Sequence, residues 1–166
     1  MSILIYCTNN LQKKLAHPIH PAKEHATPLL DIWYATIFFA EKKNILLFFN
    51  QVTGFSLLAQ AEETMSQEKL ISIFKHALIE QINENKSLHV YHSFFDRKLK
   101  HGATLASCEE TQLAWLVVEI KKLFEQDRQH SHDLTKASHH INNTEFPELE
   151  FKTPEQTLLL TLASMP

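Results

Sequence analysis

Trp33-Tyr34-Ala35-Thr36-Ile37-Phe38-Phe39-Ala40-Glu41-Lys42-Lys43-Asn44-Ile45-Leu46-Leu47-Phe48-Phe49 is the stretch that decides the fold. Two apolar runs flank the polar triplet Glu41-Lys42-Lys43, which reads as a hairpin turn. A second break at 50–54 precedes a third run at 55–59, so the region predicts a three-strand antiparallel meander. Runs 37–40 and 45–49 do not alternate with polar residues. A strand with one wet face alternates, so these strands predict a sheet covered on both sides, by helices or by a partner.

Upstream, Ile3, Ile5 and Cys7 alternate with Leu4 and Tyr6 and predict a short strand over 2–7. Thr8-Asn9-Asn10 supplies N-cap oxygens to a short helix over 11–15, and the prolines at 18, 21 and 28 mark a loop. Downstream, Leu70, Phe74, Ala77, Leu78 and Ile82 predict one face of a helix over 65–83. Residues 88–95 are β-prone and 96–102 polar and basic. Ser107-Cys108-Glu109-Glu110 is a capping box opening a helix to about residue 126, with Leu113, Leu116, Val117, Ile120 and Phe124 in one stripe. Residues 127–143 are polar and His-rich and read as a mobile segment. Thr153-Pro154-Glu155-Gln156 starts a last helix through 158–162. The expectation is one α+β domain over 1–166. Its sheet is mainly antiparallel, an N-terminal strand plus the meander, with three or four packed helices.

The composition, 44% hydrophobic and 21% charged over 166 residues, is that of a globular chain. A net charge of -3 gives no general attraction to nucleic acid or anionic membranes. The N-terminus lacks a basic n-region, and no apolar run approaches the roughly 20 residues of a membrane span. A cytoplasmic protein with Cys7 and Cys108 reduced is expected. The 2 glycines, Gly54 and Gly102, leave no room for a Gly-rich dinucleotide fingerprint, a phosphate loop or a glycine-flanked serine nucleophile.

Several segments together resemble a family of small bacterial proteins with no assigned activity. They are Ile5-x-Cys7-Thr8-x2-Leu11-x-Lys13-x-Leu15, Trp33-x-Ala35, Leu46-Leu47-Phe48-Phe49-Asn50 and the late Asn142-x-Thr144…Leu149-x-Phe151-x-Thr153-Pro154. The basic stretch before the capped helix fits as well. The resemblance implies no catalytic residues, because the family has no known mechanism. The late pattern is also similar to the tail of some bacterial transposases. Here their acidic catalytic core has no room and Phe151 stands where tyrosine is usual.

Three constellations are weighed for chemistry. His89-x2-His92-x3-Asp96 would align metal ligands on a helix, but on the expected strand His89 and His92 point to opposite sides. Of the 11 histidines, those at 17, 20, 130, 132, 139 and 140 would need tertiary structure to converge. Cys7 and Cys108 each lie at an expected helix start, where the dipole favours a reactive thiolate; the alternative is a buried small residue and an incidental first-turn residue. Arg97, Lys98, Lys100 and His101, with Tyr91 and Phe94-Phe95 before them, form the densest basic segment and could hold nucleic acid by phosphate contact and stacking. The plainer reading is a solvated connection beside core phenylalanines.

The balance favours a non-catalytic bacterial binding module without a cofactor. It would act through contacts with another protein or with itself, as a homodimer, in the manner of an antitoxin, immunity or regulatory partner. A metal- or cysteine-dependent hydrolase and a nucleic-acid-binding accessory protein are the alternatives.

Overall fold

A computed structural model describes residues 2–22, 27–108, 114–127 and 132–165. Among them the strands are β1 (Ile3–Cys7), β2 (Ile32–Ala40), β3 (Lys43–Asn50), β4 (Ser56–Gln60) and β5 (Ala103–Ser107), in the sheet order β4-β3-β2-β1-β5. The meander forms as its pattern predicts: β2 pairs antiparallel with β3, and β3 with β4. Glu41 and Lys42 make the β2–β3 turn with φ of 49° and 63°. A two-residue hairpin loop of this twist requires positive φ at both positions.

The expectation of a mainly antiparallel sheet needs correction. β1 runs parallel to both of its neighbours, β2 and β5, so the sheet is mixed. Parallel neighbours need long crossovers, and the chain has them at 8–31 and 61–102. Local alternation identifies a strand but carries no direction.

The helices are α1 (Asn9–Gln12), α2 (Gln67–Glu84), α3 (Lys86–His89), α4 (His92–Lys100), α5 (Ala114–Gln126), α6 (Leu134–Asn142) and α7 (Pro154–Ala163). Residues 88–95, expected as strand, form instead the end of α3, a turn at 90–91 and the start of α4. Asn85 caps α3 by accepting from the N–H groups of Ser87 and Leu88, and Phe95 and Leu99 turn the apolar side of α4 inward. β-prone side chains yield here to tertiary packing and a cap. The Ser107–Glu110 capping box runs outside the described residues, but the helix expected after it is present as α5. Within the polar stretch 127–143 lies α6, capped by Asp133, whose side chain accepts from the Lys136 N–H.

Both faces of the sheet are covered by the chain's own helices. One core holds Ile5, Trp33, Leu46 and Phe48 against Leu11 of α1, Phe74 and Leu78 of α2, Leu88 of α3, Phe95 of α4 and Leu158 of α7. The other holds Tyr34, Phe38, Leu47 and Phe49 against Leu116, Ile120 and Phe124 of α5 and Ala137 and Ile141 of α6. Phe74 is the hub of the first core, with Trp33 and Phe48 edge-on at 5.1 and 5.3 Å.

The two ends of the sheet pattern are treated differently. β4 is an edge strand, and α6 closes it with side chains. Asn142 accepts from the Ser56 N–H at 2.7 Å and donates to the Ser56 carbonyl at 2.8 Å. The Ser138 hydroxyl accepts from the Leu58 N–H at 2.8 Å. On β2, by contrast, β1 pairs only as far as Cys7 opposite Ala35, and β2 continues five residues further to Ala40.

Two stability outcomes follow. Phe74→Ala should lower unfolding free energy by about 3–5 kcal/mol in urea denaturation, since neither ring beside it can collapse into the space. Asn142→Ala should cost about 1–3 kcal/mol, because it strands a buried N–H and C=O of Ser56, and hydrogen exchange at Ser56 should accelerate beyond the global change.

Candidate functional site

In sheets with parallel strands, ligand sites form where adjacent strands send the following chain to opposite faces. β1 and β5 meet this condition. The chain leaves β1 into α1, whose Leu11 joins the first core, and leaves β5 toward α5, which covers the second. At these strand ends the Cys108 N–H donates to the Cys7 carbonyl at 3.1 Å. Gln12 stitches the same place, donating from Nε2 to the Cys7 carbonyl at 2.8 Å. The Thr8 hydroxyl donates to Oγ1 of Thr36 at 2.8 Å, closing the gap toward β2.

Both thiols stand here, but packed into different layers. Cys7 belongs to the first core and Cys108 packs against the second. Burial pushes Cys7 up to about 12, with a smaller push from Cys108. Burial alone takes Cys108 up to about 11. Burial also raises Tyr34, with Cys108 and Tyr6 adding to it. At neutral pH both thiols are protonated, because desolvation favours the neutral form; the helix start expected at Cys108 lies outside the described residues.

His89, His92 and Asp96 are helical, so the strand argument that set them apart does not apply. The rings of His89 and His92 lie 6.0 Å apart across the α3–α4 junction. The Asp96 carboxylate is engaged by Lys100 Nζ at 2.8 Å, which holds its pKa below the ordinary value, with His92 adding a little. Among the described residues no three of His, Cys, Asp and Glu converge closely enough to hold a metal ion. His130 lies outside the described residues.

The basic segment is α4. Lys98 turns inward: its Nζ sits 2.6 Å from Oδ2 of buried Asp31 and 5.6 Å from the centre of the Phe94 ring. Phe95 is buried and Phe94 and Tyr91 are half-buried against the first core. Arg97, Lys100 and His101 are exposed, with Lys100 on Asp96. Lys98 is thus a structural cation tying α4 to the start of β2. No helix among the described residues is long and apolar enough to cross a membrane.

A polar cleft of about 600 Å³ lies between α2 and α6, lined by Glu80, Asn83, Glu84, Asp133, Thr135, Lys136 and His139. Two of its three acids serve the fold: Glu80 meets His76 at 3.2 Å and takes the Thr135 hydroxyl at 3.3 Å, while Asp133 caps α6. Glu155 is buried and accepts from the side-chain amides of Asn85 and Asn143, binding α7 to the α2–α3 junction and the end of α6.

Two features of the surface escaped the pattern reading. Phe39, inside a run that predicts full cover, is 61% exposed beyond the end of β1. Phe151 is 68% exposed on a left-handed pair, Glu150 and Phe151, with φ of 55° and 59°. The sequence of the β2 run carries no hint of the exposure at Phe39, where β2 continues five residues past its last pairing with β1. At Phe151 the hint was an aromatic between two loop-ending signals.

With the strand ends, the α6 clasp and the Thr153 start of α7 described, the quoted segments take physical roles. The family model described as a domain of unknown function (DUF6933) matches residues 4–157. The chain belongs to the DUF6933 family. The resemblance seen in the sequence is therefore to a family without an assigned activity, covering nearly the whole chain. No curated protein matches it. In this DUF6933 protein the late motif spans the Asn142 clasp on β4 and a capping box in which Thr153 accepts from the Gln156 N–H while Gln156 accepts from Thr153.

The thiols give a pH test. A buried thiol kept neutral in the fold, but ionising near 9.0 when unfolded, contributes stability that is complete below pH 9. That contribution is lost as pH rises toward the folded value. Urea midpoints should fall from pH 9 to 11 in wild type, and the fall should be shallower in Cys7→Ala. Parallel curves would mean that Cys7 is not the titrating group.

Proposed function

We propose that the protein is a non-catalytic binding module that acts through protein contacts. The observation that carries this reading is the presentation of Phe151. The loop before α7 folds back on itself: the Phe151 N–H donates to the Phe146 carbonyl at 3.1 Å and the Lys152 N–H to the Leu149 carbonyl at 3.0 Å. Phe146 is anchored edge-on to Trp115 at 5.8 Å, and the capping box fixes the other end. Non-glycine residues with left-handed backbone cost energy and cluster where a conformation serves function. A phenylalanine held out into water on such a rigid loop has the character of an interface anchor.

The thiols support the absence of nucleophilic catalysis in this reading, since neither is ionised at neutral pH. Free, reduced cysteines fit the cytoplasm of a bacterium. An antitoxin, immunity or regulatory partner is the role that this arrangement fits, with self-association as one form of it.

Affinity capture with the full chain immobilised tests the reading. Wild type should retain a defined protein from its host extract, and Phe151→Ser should reduce that protein by about tenfold or more while melting at the same temperature. Equal recovery on both, or recovery on neither, would defeat it.

A further inference from the structure

β2 runs five residues past its last pairing with β1. Ala35 accepts from the Thr8 N–H through its carbonyl, while the Ile32 carbonyl accepts from Gln51 beyond the end of β3. Odd-numbered residues of β2 therefore turn their backbone groups toward the β1 side and even-numbered ones toward β3. β1 stops at Cys7, so the N–H and C=O of Ile37 and Phe39 face the space beyond it. Among the described residues they have no backbone partner. The near end of the space is closed by Thr8 on Thr36 and by α1, which follows it and packs against β2, and the far end by the Glu41–Lys42 turn. On one side of it stands the exposed ring of Phe39.

We infer that this notch binds an extended segment of a protein partner by strand addition, in line with β1. The inference rests on the protein-contact reading above and gives it a second, separate locus. The free groups are main-chain donors and acceptors in strand spacing, which is what an extended peptide backbone complements. An apolar side chain of the added strand lies against Phe39. The chain elsewhere seals its edge, spending Ser138 and Asn142 on β4, and has no such seal here among the described residues. A second copy of this hairpin fits poorly. Pairing Ile37 with the second copy's Phe39 brings the second copy's Ala40 beside Thr36, and that position is occupied by Thr8. A free strand can end or bend there, whereas a hairpin cannot.

The probe is a displayed library of random peptides selected on the full chain, with an enriched peptide then synthesised with single N-methyl groups at each position. Binding should fall by about tenfold or more at alternate positions only, since an added strand turns every second N–H toward β2. Phe39→Pro removes an N–H that β3 does not use, and should abolish binding without changing the melting temperature. Phe39→Thr, which keeps that N–H, should bind more weakly than wild type but better than Phe39→Pro. In the free protein the Ile37 and Phe39 amides should exchange faster than that of Phe38, and slow on peptide addition. Several results would overturn the inference: no enriched peptide, N-methyl losses without a two-residue period, binding indifferent to Phe39→Pro, or Ile37 and Phe39 amides already protected in the free chain. So would a concentration-dependent dimer that Phe39→Pro disperses. A partner lost on Phe151→Ser but kept by Phe39→Pro would defeat the notch alone and leave the protein-contact reading standing.

Discussion

Strand β3 sets the terms for everything around it. Leu46 and Phe48 point to one face and Leu47 and Phe49 to the other, and all four are fully buried. A strand with no wet side cannot sit on the surface of a two-layer protein. It requires a layer of helices above and another below. α2 and α5 are the two principal answers, with Phe74 and Phe124 reaching down to aromatic rings of the sheet from opposite directions. The remaining helices fill out those layers or close the margins of the sheet.

Polar side chains in this fold act mainly as clasps that set the position of one element on another. Lys98 and Asp31 tie α4 to the approach to β2; Asn85, Asn143 and Glu155 tie three helix ends together. Each satisfies a group that burial would otherwise leave costly. Among the described residues no buried side-chain polar atom lacks a partner. The chemistry of the molecule is thereby largely consumed in holding its own shape. Among the groups turned outward are the aromatic rings of Phe39 and Phe151.

The meander, α2, α5 and the start of α7 were legible because each depends on neighbours in sequence: alternation, helical spacing, a cap three residues away. The direction of β1 was not, because it is decided by crossovers whose path local pattern does not encode, and β5 (Ala103–Ser107) was not read as a strand at all. The strand reading of 88–95 failed where Asn85 capped a helix and the first core drew Leu88 and Phe95 inward. α6 was passed over as polar, although Leu134, Ala137 and Ile141 carry a sparse helical spacing behind Asp133. Of the site candidates, Lys98 read as an exposed cation because its partner Asp31 lies 67 positions away. Exposure at Phe39 depends on where β1 ends, which is a property of pairing and not of the β2 sequence.

The clasp of α6 on β4 also has a consequence in time. The groups it joins are 86 residues apart in the chain, so Ser56 leaves the ribosome long before Asn142. At elongation rates of roughly 5–20 residues per second, that interval is on the order of ten seconds. For much of it, until α5 and then α6 have followed, the sheet face that they cover and the outer margin of β4 are open. Until then those apolar strands are exposed to pairing with other chains, the hazard that an unsealed sheet edge carries.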